Sequence, residues 1–238
     1  MRFAVLVFPG TWSDHDWHHV LKNVLRQDAD LIWHRESDLS RYDAIVLPGG
    51  FSYGDYLRCG AIARFSPVMD AVRREAERGK LVIGSCNGFQ ILCEAGLLPG
   101  TLLRNECLQF RCQFTHVVVE QTETAFTRGL RRGQVLKMPI SHGEGRYHVD
   151  AQTLQKLQER SQIVFRYATE TGEVTAGANP NGSLWNIAGV CNEDGSIVGL
   201  MPHPERAAEA SVGGSTDGLQ LFHSLLGSLV ENGSALGR

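Results

Sequence analysis

One short segment of the chain places a cysteine between two closely spaced glycines. The apolar residues 81–83 lead into Gly84-Ser85-Cys86-Asn87-Gly88, and a helical pattern follows. A tight strand-to-helix turn of this G-x-C-x-G type needs very small residues two positions before and after the cysteine. Such a turn would lift the Cys86 sulfur to a helix N-terminus, where the helix dipole and free N–H groups stabilise a thiolate. The alternative is a buried core thiol beside an ordinary turn.

A histidine and a glutamate near the C-terminus are two residues apart, and each follows a proline. In Met201-Pro202-His203-Pro204-Glu205 the residues that precede proline, Met201 and His203, are expected to be extended. Side chains two apart in an extended chain leave on the same side, so Glu205 can reach one ring nitrogen of His203. The other nitrogen would face a thiol, as in a Cys-His-Glu triad. A solvated histidine on a proline-rich surface turn is the alternative.

A third segment carries two adjacent glycines after an apolar run. Val46-Leu47-Pro48 leads into Gly49-Gly50, where bare backbone can approach a ligand closely. Acyl-transfer chemistry needs N–H donors aimed at the oxyanion that develops on the attacked carbonyl. A cysteine elbow supplies the N–H of the following residue, Asn87, and the Gly49-Gly50 loop can supply a second. An ordinary flexible loop is the alternative.

The elements that would position these residues follow from short apolar runs alternating with helical patterns. The predicted strands are Phe3–Phe8, Ala44–Leu47, Leu81–Ile83, Val117–Val119 and Ile197–Met201. The predicted helices follow a capping box at Ser13-x-x-Asp16 and reach Leu25, run from Pro67 to Arg78, follow Cys86 up to Gly96, and extend from Thr216 to Val230. This alternation predicts an α/β fold with an open, mainly parallel sheet flanked by helices.

Residues 100–135 and 160–200 interrupt the alternation with β-rich segments and loops. They are interpreted as antiparallel additions to the same sheet. No repeat, low-complexity run or proline-rich linker marks a domain boundary, so residues 1–238 are expected to form one domain.

Composition excludes several classes of protein. The chain has 238 residues, of which 42% are hydrophobic and 21% charged, with a net charge of −3. This charge argues against nucleic acid as a partner. Apolar runs such as Phe3–Phe8 are far shorter than the roughly 20 residues of a membrane helix. That N-terminal run follows a single arginine without a small-residue cleavage site, so it is interpreted as a strand rather than a signal peptide. We therefore expect a cytoplasmic protein without membrane association.

Metal binding has little support in the sequence. The cysteines form no C-x-x-C pair; they are Cys59, Cys86, Cys93, Cys107, Cys112 and Cys191. His15 and His19 stand four residues apart with Asp16 between them. This is the spacing of metal ligands on one face of a helix, but a solvated first turn with an acidic cap has the same pattern. No metal site is predicted.

Taken in order, these motifs resemble the class I (triad-type) glutamine amidotransferases. Within them the chain is similar to the glutaminase subunits of phosphoribosylformylglycinamidine synthase. The segments that carry the resemblance are Val7–Gly10, Leu47–Ala63 (LPGGFSYGDYLRCGAIA), Gly84–Leu92 (GSCNGFQIL), Ser141–Gly145 (SHGEG) and Gly199–Ala207 (GLMPHPERA). The resemblance runs along nearly the whole length of the chain. The resemblance implies a single type 1 amidotransferase domain with flavodoxin-like layering.

The resemblance also implies a role for each matching residue. Cys86 corresponds to the nucleophile, His203 to the general base and Glu205 to its orienting partner. The backbone N–H groups of Gly50 and Asn87 correspond to the oxyanion donors, and Gly49 and Gln90 to substrate-binding positions. His142, in the HGEG segment, is left outside the catalytic set. The segment Thr11-Trp12-Ser13-Asp14 departs from the family, whose members usually have Ser-Asn-Cys-Asp there.

The activity that the resemblance implies is hydrolysis of glutamine to glutamate, with transfer of the ammonia to a synthetase. No P-loop motif occurs in this chain, so no cofactor is expected here, and ATP and Mg²⁺ are expected on a separate large synthetase subunit accompanied by a small third subunit. The rival interpretations are a stand-alone cysteine hydrolase and a subunit that has lost its chemistry. Members of the first group commonly carry histidine directly after the nucleophile, where this chain has Asn87.

Overall fold

The structure is a computed structural model that describes residues 1–236, and it contains a large twisted sheet with helices on its faces. The strands are β1 (Arg2–Val7), β2 (Asp28–Trp33), β3 (Ala44–Leu47), β4 (Leu81–Ser85), β5 (Thr101–Leu103), β6 (Arg111–Val119), β7 (Val135–His142), β8 (Arg146–His148), β9 (Ile163–Ala168), β10 (Ile187–Cys191) and β11 (Ile197–Leu200). The α-helices are α1 (Asp14–His19), α2 (Pro67–Glu77), α3 (Asn87–Glu94), α4 (Ala151–Glu159), α5 (Ala210–Gly213) and α6 (Leu219–Leu236).

Within the described residues, nine strands form one sheet in the order β2-β1-β3-β4-β11-β10-β9-β6-β7. The first five in this order are parallel. The central strands of this part are buried on both faces, since the consecutive residues Ala4 and Val5 of β1 and Ile45 and Val46 of β3 are each 0% exposed. The predicted mainly parallel α/β fold is confirmed.

The segments that interrupt the alternation extend the sheet in antiparallel fashion. β10 pairs antiparallel with β11 and with β9, and β6 pairs antiparallel with β9 and with β7. A separate two-stranded sheet joins β5 to β8. The expectation of antiparallel additions is therefore confirmed. The apolar runs did not individually predict β2, β5, β7, β8, β9 and β10.

The boundaries of α2 agree with their sequence signals, whereas the start of α6 and the cap of α1 do not. α2 begins at Pro67, and Gly79 (φ 83°) follows its end, as predicted. α6 begins at Leu219, three residues later than expected. The capping box is wrong: the Ser13 side chain makes no cap hydrogen bond to α1. After α1 the chain continues as a π-helix over Val20–Val24.

The topology brings three loops to one edge of the sheet. β3, β4 and β11 are adjacent and parallel, with Leu47 paired to Gly84 and Gly84 paired to Gly199. Their carboxyl ends therefore lie side by side, which is where open α/β sheets bind their ligands. The three segments singled out for their chemistry follow these same strands.

Candidate active site

Cys86 lies in a sharp turn between β4 and α3. Its backbone has φ 50° and ψ −107°, a conformation that non-glycine residues rarely adopt. The Cys86 N–H donates to the Leu200 carbonyl oxygen of β11 at 2.8 Å, which ties the turn to the neighbouring strand. The side chain is 4% exposed, and its sulfur lies 3.5 Å from the Ser141 carbonyl oxygen. The sequence-predicted elbow is therefore present.

The two flanking glycines are sterically required. A Cβ on Gly84 would lie 2.6 Å from the Gly88 carbonyl carbon, and one on Gly88 would overlap the backbone of Leu47 in β3. Both neighbours are backbone and cannot rotate away. The G-x-C-x-G spacing thus lets α3 start directly against β3, with Cys86 at the point where strand turns into helix.

His203 and Glu205 form a buried pair at the end of β11. The His203 Nδ1 atom lies 2.7 Å from Glu205 Oε1, and the two residues are 1% and 3% exposed. His203 has the extended backbone that its following proline predicts (φ −104°, ψ 90°), and its N–H donates to the Pro139 carbonyl at 2.9 Å. This arrangement leaves the other ring nitrogen, Nε2, buried without a hydrogen-bond partner among the described residues.

The electrostatics of the pair favour a charged imidazole ring. Burial lowers the pKa of His203, but the charges of Glu205 and Cys86 outweigh this effect and raise the pKa to about 10. A protonated ring beside a thiolate is the resting state of an activated cysteine, because the ring can then give its proton to a leaving group.

The His203 pKa makes a prediction about stability. A group whose pKa rises from 6.5 to about 10 on folding stabilises the folded chain fully below pH 6.5, and this contribution is lost as the pH rises through about 10. We expect the midpoint of urea unfolding to fall between pH 7 and 10 more steeply in the wild type than in His203→Gln. His15→Gln, which changes an exposed ring, is the matched control and should follow the wild type. Parallel curves for His203→Gln and wild type would contradict the proposed charge state.

Gly49 is the point where the candidate residues meet. A Cβ at this position would lie 2.5 Å from His203 Cε1, 3.1 Å from Ser13 Oγ and 3.3 Å from Cys86 Cβ. The Ser13 hydroxyl oxygen accepts the Gly49 N–H at 2.8 Å and is 0% exposed. Ser13 was expected to cap a helix, and the structure instead uses it to hold the glycine loop. No pattern in the sequence connects these two positions.

The backbone of the Gly49-Gly50 loop is held against the segment after β1. Trp12 N–H donates to the Gly49 carbonyl at 3.0 Å, and Phe51 N–H donates to the Gly10 carbonyl at 2.9 Å. Gly50 has φ 153°, and a Cβ there would lie 2.7 Å from both the Gly10 oxygen and the Trp12 nitrogen. The Gly50 N–H has no partner among the described residues. It is therefore available to donate a hydrogen bond to a ligand.

Asn87 is the first residue of α3, so its N–H has no partner within the helix. Its side chain is 1% exposed and links two parts of the site. The Asn87 amide oxygen accepts the Ser52 N–H at 3.2 Å, and its amide nitrogen donates to Gln90 Oε1 at 2.9 Å. Gln90 in turn donates through Nε2 to the Glu144 carbonyl at 2.6 Å. The sequence-predicted residues Gly50, Asn87 and Gln90 therefore surround Cys86.

A pocket of about 310 Å³ opens onto Cys86. Its size is at the lower end of the range for small-ligand sites. Its walls include Gly50, Phe51, Asp55, Cys59, Cys86, Gln90, Arg104, Leu108, Gln109, Phe110, Ser141, His142, Gly143 and Glu144. Asp55, Cys59, Arg104 and Glu144 are lining residues to which the sequence analysis assigned no role.

His142 lies in the pocket wall with both ring nitrogens engaged. Nδ1 lies 3.2 Å from the Asn105 amide oxygen, and Nε2 lies 3.5 Å from the Asn181 amide nitrogen. Burial, with the nearby charge of His203, lowers the His142 pKa to about 3. A Cβ on Gly145 would overlap the ring, so the second glycine of HGEG makes room for it. A neutral ring bonded on both sides suits a structural role, in line with its omission from the catalytic set.

The segment that departs from the family pattern contacts the residue after Glu205. The Arg206 guanidinium lies 3.9 Å from the centroid of the Trp12 ring and donates to Asp16 Oδ2 at 2.8 and 3.1 Å. His19 Nε2 lies 2.7 Å from Glu209 Oε2. Asp16 and His19 are thus engaged by Arg206 and Glu209.

In residues 1–236 no group of three or more His, Cys, Asp or Glu side chains is placed to hold a metal ion. In the same residues no helix is long and apolar enough to cross a membrane.

The fold and this site together define a class of protein. A family model described as a CobB/CobQ-like glutamine amidotransferase domain matches residues 1–218. The chain therefore belongs to the glutamine amidotransferase family, which is a family of enzymes. A glutamine amidotransferase of Thermotoga maritima, 17% identical with a TM-score of 0.56, shares the fold over 98% of this chain and 97% of that one.

More specific similarity exists within the family. The phosphoribosylformylglycinamidine synthase subunit PurQ of Thermomicrobium roseum is 59% identical over 95% of each chain. The subunit of the same name from Koribacter versatilis is 56% identical over 97% of this chain and all of that one. A chain in the structure of PurLQS from Thermotoga maritima is 41% identical, with a TM-score of 0.84 over 96% of this chain and 98% of that chain.

Proposed function

We propose that this chain is the glutaminase subunit of a phosphoribosylformylglycinamidine synthase. The observation that carries the proposal is the convergence of Cys86, the His203–Glu205 pair and the Gly49-Gly50 loop beside one pocket, which Cys86 and Gly50 line. The similarity to subunits named PurQ, which extends over nearly the full length of both chains, supports the specific assignment. We further propose that the chain forms one amidotransferase domain and acts in the cytoplasm.

In the proposed reaction, the Cys86 thiolate attacks the side-chain amide carbon of glutamine. The N–H groups of Gly50 and Asn87 hold the oxyanion that forms on the amide oxygen. The imidazolium of His203 gives its proton to the departing nitrogen, which leaves as ammonia. A γ-glutamyl thioester remains on Cys86.

The second half of the reaction restores the enzyme. The now neutral His203 takes a proton from a water molecule, which attacks the thioester carbonyl. The carbon–sulfur bond breaks and glutamate leaves. The Cys86 thiolate then again lies beside a protonated His203 ring. Throughout both halves, the Glu205 carboxylate holds the His203 ring and stabilises its positive charge.

The released ammonia requires an acceptor on another chain. We propose a large synthetase subunit, which would bind ATP and Mg²⁺ and convert formylglycinamide ribonucleotide to formylglycinamidine ribonucleotide, together with a small third subunit. Exposed apolar side chains beside the pocket support a partner there: Phe51 is 42%, Phe110 51% and Leu108 81% exposed. Glutaminase turnover of the chain in the presence and absence of these subunits tests the proposal. Absence of turnover in every combination would contradict it.

Selective alkylation tests the assignment of Cys86. Cys107 and Cys112 are exposed, whereas the other cysteines are buried. We expect iodoacetamide, which has no specific affinity for the pocket, to modify the two exposed thiols first because the other four are buried. A glutamine-like chloroketone should instead modify Cys86 first, because binding in the pocket places its electrophilic carbon at the sulfur. Peptide mapping by mass spectrometry distinguishes the two patterns, and Cys86→Ser is the control. Modification of Cys107 or Cys112 ahead of Cys86 by the chloroketone would contradict the assignment of Cys86 as the nucleophile.

A further inference from the structure

Ser13 binds both backbone polar groups of Gly49. Its hydroxyl oxygen accepts the Gly49 N–H at 2.8 Å, and its own N–H donates to the Gly49 carbonyl oxygen at 3.1 Å. The Trp12 N–H donates to the same carbonyl oxygen at 3.0 Å. Ser13 is fully buried, so water does not compete for these hydrogen bonds. They fix the orientation of Gly49, although the proposed reaction assigns Ser13 no task.

The carbonyl of Gly49 and the N–H of Gly50, a proposed oxyanion donor, belong to one peptide group. This group is planar and trans, so the N–H points away from the side on which the carbonyl is bound. Gly50 also forms an antiparallel bridge with Thr11, in which the neighbouring residues exchange the hydrogen bonds. The N–H groups of a pair bridged in this way point outward. The Gly50 N–H is therefore directed away from Thr11, and Gly50 lines the pocket together with Cys86.

The helix that follows Ser13 is also joined to the turn at Cys86. The Ser13 carbonyl oxygen accepts the Trp17 N–H of α1 at 3.0 Å. The indole Nε1 of Trp17 donates to Ser85 Oγ at 2.9 Å, and Ser85 directly precedes Cys86. Trp17 and Ser85 are both buried. Through Ser13 and Trp17, α1 therefore fixes the Gly49-Gly50 loop relative to the turn that carries the nucleophile.

The two proposed oxyanion donors come from these two segments, Gly50 from the loop and Asn87 from the turn. N–H donors stabilise a developing oxyanion when they are held in place before the reaction begins. Gly49 has no side chain to restrict its own backbone, so the restriction must come from its neighbours. Without the Ser13 hydroxyl, the Gly49 N–H would be buried without an acceptor, and the loop would gain free energy by rotating toward another partner.

We infer that Ser13 is a positioning residue whose hydroxyl orients the Gly49–Gly50 peptide group and thereby directs the Gly50 N–H toward the oxyanion. This inference rests on the proposed glutaminase function and adds a residue to its machinery. Ser13 is fully buried behind the loop, so it acts on the substrate only through Gly50. Its removal should therefore slow the reaction at Cys86 without changing the charge state of the Cys86–His203 pair.

Ser13→Ala tests the inference in the chain assembled with its synthetase subunits. The change removes the hydroxyl and adds no bulk to the buried site. Loss of a whole oxyanion donor costs about 10²–10³-fold in kcat, and a misdirected donor keeps part of its effect. We expect kcat for glutamine hydrolysis to fall about 10- to 100-fold and KM to stay within about 3-fold of wild type. The pH profile of kcat/KM should not change, because the contacts of Cys86 and His203 are retained.

A second pair of variants separates the hydroxyl from the shape of the side chain. Ser13→Thr and Ser13→Val introduce side chains of nearly the same shape, and only the first retains a hydroxyl. We expect kcat to be at least about 5-fold higher for Ser13→Thr than for Ser13→Val, the effect of one hydrogen bond. Equal kcat values for these two variants in folded form would contradict the role of the hydroxyl.

Ser224→Ala is the matched control. The Ser224 hydroxyl of α6 is buried and also accepts a glycine N–H, that of Gly129, at 3.2 Å. This variant should lose stability as Ser13→Ala does and keep the wild-type kcat. An unchanged kcat in Ser13→Ala, or an equal fall in Ser224→Ala, would overturn the inference.

A shifted pH profile in Ser13→Ala would also overturn it, because the change would then act on the Cys86–His203 pair instead of the oxyanion donor. Each of these outcomes leaves the glutaminase function intact. Failure of the wild type to hydrolyse glutamine would overturn the proposed function itself.

Discussion

Replacing Cys86 by alanine is expected to abolish glutamine-dependent synthesis by the assembled synthase and to leave synthesis from added ammonium intact. The reason is that release of ammonia and its use in synthesis are proposed to take place on different subunits. The thiol of Cys86 is needed only to release ammonia, whereas the proposed acceptor chemistry takes place on another subunit. The pocket on this chain opens onto a cysteine, and the residues around it can hold an amide but have no motif for ATP.

The expected loss is large because no neighbouring group can replace the sulfur. Removal of a catalytic nucleophile costs at least about 10⁴-fold in kcat. Cys59, the other thiol in the pocket wall, is buried, and burial raises the pKa of its thiol so that it stays neutral. Steady-state synthesis would be measured with saturating glutamine and then with saturating ammonium chloride at fixed ATP.

Cys93→Ala is the matched control for this experiment. Cys93 is a buried thiol in the same helix, α3, and its sulfur contacts the Pro99 carbonyl at 3.7 Å. This variant should retain both activities, apart from a modest loss of stability. If Cys86→Ala in a properly assembled complex lost ammonium-dependent synthesis as well, the proposal that the two reactions take place on different subunits would be wrong.

The parts of the fold that the sequence predicts are those determined by local patterns. Short apolar runs without polar alternation predict strands buried on both faces, and β1, β3, β4 and β11 agree with this reading. The turn at Cys86 is equally local, because the size of Gly84 and Gly88 and the strand before them lie within a few residues. The extended backbone of His203 is also local, because this residue precedes Pro204, and Glu205 lies in the short 3-10 helix Pro204–Ala207 that follows it.

The parts that the sequence did not predict depend on tertiary contacts or on edge position. β2 lies at the edge of the sheet, and its residues alternate unevenly between exposed and buried, so no apolar run marks it. Ser13 has the residue type and spacing of a helix cap, yet its hydroxyl binds the Gly49 backbone of another loop. A long-range acceptor of this kind cannot be distinguished from a local one by residue type alone.

The same limit applies to the pocket wall. Asp55 and Glu144 come from distant segments, and only the fold brings both into contact with Cys59. In the sequence each is an ordinary acidic residue within a family motif. The roles of Cys86, His203 and Glu205, in contrast, rest on motifs and stay predictions until the variants are assayed. Their spatial convergence is what the structure adds.

Replacing Gly88 by alanine is expected to destabilise the whole chain rather than only slow the reaction. The added Cβ would overlap the Leu47 backbone at the end of β3. This strand cannot retreat, because it is paired on both sides, to β1 and to β4, in the buried centre of the sheet. α3 would have to move away from the sheet. We expect a loss of about 3 kcal/mol or more in the free energy of unfolding, above the usual range for an overpacked side chain.

Urea unfolding followed by circular dichroism measures this loss, and Gly177→Ala provides the control. A Cβ on Gly177 would have no heavy atom within 4 Å, so this variant should lie within about 0.5 kcal/mol of wild type. An unfolding midpoint for Gly88→Ala equal to that of wild type would show that α3 does not pack against β3 as described. Because the same contact fixes the Asn87 N–H beside Cys86, the glycine that stabilises the fold also positions the proposed oxyanion donor, and the two roles should be lost together.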